Sequence, residues 1–198
     1  MDEELIDKSI ETGELQLTTK EKRVHYRRLL FPGVLIAASI LMPFIDFLNG
    51  NHRPLSLMDI FFTVVTLTIA YLMYRTQKGR LRLTEVQSNL KRDKIIEIIK
   101  RTGDLLNWEI ERIEDKIVFA ETMRFIGFPK TPIGEQITLL FDGDRILINS
   151  ISNLRFFDKQ GILSKDFNKE NVETLVHAIE DASGVVREKP VVDVRILE

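Results

Sequence analysis

The sequence predicts a membrane-anchored α+β protein, in which a transmembrane helical hairpin precedes a small cytoplasmic domain. Three observations predict this. Two apolar runs of about 20 residues, each long enough to span a bilayer, stand close together in the first half of the chain. Basic residues flank the pair on both sides. After the second run, the spacing of apolar residues changes from the period of a helix to that of strands, and then back to that of a helix. The chain has 198 residues, 44% hydrophobic and 29% charged, so the apolar runs are a local feature.

The hairpin is predicted over residues 18–77, with spans at about 29–48 and 55–74. Asp46 is the only ionisable residue in the first run, and Asp59 is the only strongly ionisable one in the second. A helix of either length covers the ~30 Å hydrocarbon core. The alternative, two buried helices of a soluble protein, would need more surrounding chain to cover them.

The two carboxylates have two interpretations. Asp46 is about 25 Å along the first helix, which places it near the outer interface, and Asp59 enters the second helix at a similar depth. Interfacial solvation and capping of the second helix explain both residues. The alternative is a proton or ion site, because carboxylates inside a membrane are commonly functional.

The basic flanks predict the orientation. The loop between the runs carries only Arg53, whereas residues 18–28, directly before the first run, contain five lysines and arginines. Four follow the second run: Arg75, Lys78, Arg80 and Arg82. Because positive flanks stay in the cytoplasm, we expect a membrane protein with both termini cytoplasmic. The four following residues either attract anionic headgroups or only set this topology. The absence of cysteine fits a reducing compartment.

Gly33 and Ala37 form a pair of small residues one helical turn apart in the first run. Such a face lets another helix approach closely. We therefore predict a helix-packing face, which either joins the two helices of one chain or meets a partner subunit.

The cytoplasmic domain is predicted as helix, four antiparallel strands and helix. A capping-box pattern at Thr84 opens a helix that Gly103 would end. An alternating segment with a turn at residues 114–115 follows, and then two apolar runs joined by a turn at residues 142–143. A last helix begins near Asn168. Sequential strands joined by tight turns predict an antiparallel sheet with both helices on one face.

The boundaries follow from these patterns. The α+β domain covers residues 84–184. Residues 1–17 are acidic and poorly periodic, which predicts an arm that is flexible or ordered only by a partner. Residues 185–198 alternate after a proline, which predicts a strand-like tail.

One ordered set of motifs carries a resemblance. The domain contains, in order, Trp108, a strand over 117–120, a loop over 125–129, Ile-Asn-Ser-Ile-Ser at 148–152 and Asn171 in the last helix. This order resembles small bacterial α+β domains of unknown function, over about residues 87–181. The resemblance implies the fold and a bacterial origin, and it supplies no catalytic residue. The stretch between Asn153 and Phe167 is longer than in that pattern.

The sequence offers no catalytic signal. His25, His52 and His177 lie in different segments, and metal sites need clustered ligands. No nucleophile, zinc-protease or phosphate-loop motif is present. The net charge of −2 argues against nucleic-acid binding. We therefore expect a binding protein with no catalytic residue, metal or cofactor.

Two aromatic stretches are candidate interfaces. They contain Arg124, Phe125, Phe128, Arg155, Phe156 and Phe157. Arginine and aromatic residues are enriched at interfaces, although these rings could instead close the end of the core. The expected function is an accessory or scaffold subunit that contacts the phospholipid bilayer and binds other membrane or cytoplasmic proteins, or a second copy of itself. The alternatives are a sensor that holds a lipid headgroup or small ligand, and a component of an ion path.

Overall fold

A computed structural model describes residues 1–49, 57–126, 131–153 and 167–184. Within these ranges the protein has six α-helices and a five-stranded sheet. The helices are α1 Glu3–Thr12, α2 Thr19–His25, α3 Leu30–Leu48, α4 Leu57–Gly79, α5 Arg92–Leu106 and α6 Asn168–Ser183. The strands are β1 Thr84–Gln87, β2 Trp108–Ile113, β3 Ile117–Ile126, β4 Thr131–Asp142 and β5 Arg145–Ser152. The predicted α+β class is confirmed.

The sheet is antiparallel throughout, in the order β1-β5-β4-β3-β2. Both predicted turns lie where the sequence placed them, between β2 and β3 and between β4 and β5. Gly143 occupies the second turn with a φ of 59°, a left-handed conformation that a residue without Cβ adopts easily. Asp142 pairs with Arg145 across this turn, which fixes the register of β4 on β5.

Both faces of the sheet are covered, whereas the sequence predicted helices on one face only. Successive strand residues point to opposite faces. Val118, Ile137 and Ile148 pack with α5 and α6 on one face. Ile117, Leu140 and Leu147 contact Ile6 of α1 on the other. The long strands carry apolar side chains on both of their faces, which is the pattern of a sheet buried on two sides.

Residues 84–87 form a strand, not the first turn of a helix, so the prediction of four strands was wrong. Thr84 lies opposite Ile148, and Val86, only 3% exposed, enters the core. A capping-box pattern is local, and pairing with β5 overrides it because it buries Val86 and satisfies the backbone. The helix begins at Arg92 and continues through Gly103 to Leu106.

The N-terminal arm is ordered, contrary to the flexibility predicted for residues 1–17. Leu15 and Leu17 are almost fully buried. The Leu15 amide donates to the Leu81 carbonyl at 2.7 Å, and the Leu83 amide donates to Gly13 at 2.9 Å. The arm therefore joins the end of α4 to the sheet. Its acidic side chains misled the prediction because they occupy only the exposed face of α1.

Helices α3 and α4 pack against each other beside the α+β domain. No single helix within the described ranges is long and apolar enough to qualify as a membrane span by length and composition. The broken pair made of α2 and the Leu30–Leu41 part of α3, bent by 71°, qualifies jointly. The predicted tail, residues 185–198, lies outside the described residues.

Candidate functional site

A cavity of about 430 Å³ lies where three parts of the chain meet. The segment after α4 forms one wall through Arg80, Arg82 and Thr84. Asn149 and Ser150 of β5 form a second wall, and the first turns of α6 form the third. Strand β1 pairs with β5 only as far as Ile148. The cavity therefore opens at the place where the chain leaves the sheet edge toward α4.

Asn149 fixes the shape of the wall that carries the two arginines. Its Nδ2 donates to the Arg80 carbonyl at 2.9 Å and to the Arg82 carbonyl at 2.7 Å. Both amide hydrogens are thereby used. Its Oδ1 is buried and has no hydrogen-bond partner among the described residues. A buried amide oxygen without a donor is costly, about 1–3 kcal/mol.

A chain of buried hydrogen bonds links the cavity wall to the core. The Ser150 hydroxyl donates to Asn168 Oδ1 at 3.0 Å and accepts from Asn171 Nδ2 at 3.2 Å. Asn171 Oδ1 in turn accepts from the Trp108 indole at 3.1 Å. The structure thus brings together three of the residues on which the resemblance rests, Trp108, Ser150 and Asn171, and gives them a shared structural role.

The described lining carries an excess of positive charge. Arg80, Arg82 and Lys169 contribute three formal positive charges, and Glu173 contributes one negative charge. Glu173 lies 3.4 Å from Lys169 on the next turn of α6. His177 also lines the cavity, although most of its side chain is exposed. Positive side chains therefore outnumber negative ones among the described lining residues.

Aromatic side chains connect the segment before α3 with the last turns of α4. The rings of Tyr26 and Tyr74 stack with centroids 5.9 Å apart. The buried His25 donates from Nε2 to the Gln77 carbonyl at 3.0 Å. Burial raises the pKa of the Tyr26 phenol above its usual value, and the nearby Tyr74 and Glu14 add to this.

The predicted basic residues separate into two groups. Arg80 and the exposed Arg82 line the cavity, whereas Arg75 and Lys78 are exposed on the last turns of α4 and are not among its described lining residues. Sequence reasoning missed Asn149 and Lys169. A signal for Asn149 was present: an asparagine stands inside the buried apolar run of β5, where a polar side chain needs a specific partner.

The predicted helix-packing face is exposed. A Cβ built on Gly33 would meet no atom within 4 Å, and Ala37 is also exposed. Within the described residues, this face therefore does not join α3 to α4. The backbones of Asp46 and Asp59 lie in α3 and α4, but their side chains are outside the described part of the chain.

The side chains of the candidate interface residues all lie outside the described part of the chain. Arg124 and Phe125 lie on β3, opposite Ile133 and Pro132 of β4, and their side chains are outside the described part. Residues 128 and 155–157 are outside the described ranges altogether.

Two further cavities lack the charge asymmetry of the first. A groove of about 840 Å³ between α5 and α6 carries charges of both signs, such as Arg101 and Asp181. A space of about 220 Å³ lies under the arm beside Leu15 and Gln136. Within the described ranges, no group of three or more histidine, cysteine or acidic residues could hold a metal ion. The chain matches no protein-family model and no curated protein.

Proposed function

We propose that α3 and α4 form a hairpin in the bacterial inner membrane and hold the α+β domain at its cytoplasmic surface, where the protein serves as an accessory or scaffold subunit. The exposure of large apolar side chains along both helices carries this proposal. Phe31 is 70% exposed, Phe61 64% and Leu57 85%. An apolar surface of this extent is rare on a soluble monomer and marks a membrane or protein contact.

The dimensions of the hairpin support this placement. Helix α3 has 19 residues and α4 has 23, so they are about 28 and 34 Å long. These lengths match the ~30 Å hydrocarbon core. The stacked pair Tyr26 and Tyr74 stands at one end of both helices, as interfacial aromatic residues do. Arg75 and Lys78 follow directly, on the side expected to be cytoplasmic.

A scaffold role is supported by the way the domain is attached. The arm and Asn149 hold the backbone at residues 80–83 through four hydrogen bonds, so the sheet follows α4 without a loose linker. A domain held at a fixed distance from the membrane can present one surface to a partner. Gly33 and Ala37 face outward on α3, where a helix of another subunit or of a second copy could pack closely.

Cysteine labelling in intact cells tests the membrane placement. We expect Asn51→Cys, in the connection between α3 and α4, to react with an impermeant thiol reagent, because the native chain has no cysteine to interfere. Lys100→Cys, on the exposed side of α5, should react only after lysis. Extraction of the protein by alkaline carbonate, or labelling of Lys100→Cys in intact cells, would contradict the placement.

The partner is tested by purification in a mild detergent, with mass determination of the intact complex and identification of co-purifying chains. Gly33→Leu and Ala37→Leu should reduce the complex, since a large side chain blocks close helix approach. Val34→Leu, at an exposed neighbouring position, is the matched control. If all three variants give the wild-type complex at the same yield, the small-residue face does not mediate assembly.

A further inference from the structure

We propose that the open edge of β1 is a docking site for the chain's own C-terminal segment, with residues 193–196 pairing antiparallel to β1. Strand β1 lies at one edge of the sheet. The segment after α6, residues 185–198, lies outside the described residues, and its sequence alternates as a strand does. The inference concerns the α+β domain alone, so it can fail or hold independently of the membrane placement.

The backbone of β1 has open hydrogen-bonding groups on its outer side. In an antiparallel pair the amide and carbonyl of one residue point to the same side, and the next residue points to the other side. The Ser88 amide donates toward β5, to the Asp144 carbonyl at 2.9 Å, whereas the Leu83 amide donates outward to the arm at 2.9 Å. The backbone groups of Glu85 and Gln87 therefore also point outward, where no described residue gives them a backbone hydrogen bond.

The chain leaves α6 beside this edge. Ser183 Oγ lies 2.9 Å from Ser88 Oγ, so the end of α6 is next to the end of β1. Asp193 follows nine positions after Gly184. An extended chain covers up to about 3.3 Å per residue, so this link is long enough to turn back along β1. A chain that returns from this point runs antiparallel to β1.

The opposite edge of the sheet is a poorer partner. Strand β2 is separated from β1 by β5, β4 and β3, and each strand spacing is about 4.8 Å. The pairing of β2 with β3 is also irregular between Ile110 and Arg112. Bulges at an edge strand disfavour the addition of another strand.

Charge and polarity select one register. With Val194 opposite Val86, the alternating apolar residues of the segment lie on the side of the sheet that α6 covers. Arg195 then lies opposite Glu85, which makes a cross-strand pair of opposite charge. A slip by two residues places Asp193 opposite Glu85, two like charges. A slip by one residue turns the apolar side chains to the exposed side of β1.

The docked segment has a defined end and a protective role. The pairing stops at Thr84, because the arm already holds the next outward amide, that of Leu83. An unpaired edge offers its donors and acceptors to any extended chain and so promotes association between molecules. The C-terminal segment therefore caps this edge within the same molecule.

The experiment measures disulfide formation in the full-length protein, because the native chain has no cysteine. Gln87→Cys combined with Asp193→Cys places two cysteines directly opposite each other, at a Cα separation of about 5.5 Å that suits a disulfide. Dilute protein in neutral detergent micelles is equilibrated with glutathione redox buffers. The disulfide is quantified by mass after proteolysis, and unchanged Trp108 fluorescence shows that each variant is folded.

Two control pairs separate docking from chance encounter. Gln87→Cys with Arg195→Cys is displaced by two residues, and Glu109→Cys with Asp193→Cys tests the edge of β2 at an exposed position. We expect the effective thiol concentration of the matched pair to exceed that of either control at least about tenfold. Equal values in all three pairs overturn the proposal. A disulfide between positions 87 and 193 that joins two chains also overturns it, because the occupant is then a second copy.

The register is tested by charge. Arg195→Glu, added to the matched cysteine pair, should lower its effective concentration about threefold, the scale of one cross-strand charge pair. Lys189→Glu makes the same change of charge in the link before the pairing residues and should leave the value unchanged. Equal effects of the two variants would contradict the register in which Arg195 lies opposite Glu85.

Discussion

Replacing Leu15 with alanine tests whether the arm is part of the folded domain. Leu15 is 2% exposed and packs with Leu17, Leu81 and Ile151. It therefore touches the arm, the segment after α4 and the sheet at once. A flexible arm would make none of these contacts, so this one side chain distinguishes the two descriptions of residues 1–17.

The expected cost follows from burial and from limited relaxation. Truncating a buried leucine to alanine costs about 2–5 kcal/mol, depending on how far the surroundings collapse into the space. The backbone here is held by the 2.7 Å hydrogen bond from Leu15 to Leu81, which opposes collapse. We therefore expect about 3 kcal/mol. With a urea dependence of about 2 kcal/mol per molar, the unfolding midpoint should fall by about 1.5 M.

The assay is urea unfolding of the full-length protein in micelles, followed by Trp108 fluorescence and by far-ultraviolet circular dichroism. Trp108 lies in the core on the opposite face of the sheet from the arm. A common shift of both signals would therefore report cooperative unfolding of arm and domain. Leu105→Ala, at a leucine that is 71% exposed, makes the same chemical change and should cost less than about 0.5 kcal/mol.

The reasoning is refuted if Leu15→Ala and Leu105→Ala have the same midpoint. It is also refuted if Leu15→Ala alters the dichroism signal while the Trp108 transition stays at the wild-type midpoint. That result would mean that the arm detaches without affecting the sheet.

Three further predictions follow from local features. Gly103→Ala should raise the free energy of unfolding by up to about 1 kcal/mol, because alanine favours the helix more than glycine does. The added Cβ would lie 3.5 Å from Trp108, an ordinary contact distance. A lower urea midpoint than that of the wild type would contradict this. Asn171→Ala should lower the free energy of unfolding by about 1–3 kcal/mol, because the buried Trp108 indole loses its hydrogen-bond acceptor. An unchanged urea midpoint would show that water replaces the amide. Tyr26→Phe should remove one phenol ionisation from the high-pH part of an ultraviolet titration, because burial raises the pKa of the Tyr26 phenol above its usual value. The stability that Tyr26 contributes is then complete below the usual phenol pKa and lost as the pH rises through the folded-state pKa, a loss absent in the variant.

The candidate site was only partly predictable. Arg80 and Arg82 were recognised as basic residues beside an apolar run, because charge next to hydrophobicity is visible along the chain. Their separation from Arg75 and Lys78 was not predictable, since it depends on where α4 ends and on which carbonyls Asn149 binds. Lys169 was missed because it lies almost 90 positions from Arg80 in the sequence, and only the packing of α6 against β5 brings the two together.

The sequence by itself determined the elements whose signals are local. The turn at Asp142-Gly143, the apolar runs beside it, the alternation around residues 114–115 and the end of α6 at Gly184 depend on neighbouring residues, and periodicity or turn chemistry encodes them. Tertiary structure decided that residues 84–87 form a strand, that the arm is folded onto the domain and that the cavity exists. Each of these depends on contacts between segments far apart in the chain. Val86 becomes a strand residue because β5 offers a partner edge, and Leu15 is ordered because Leu81 and Ile151 surround it. The burial gained in such contacts exceeds the local preferences from which the prediction was made.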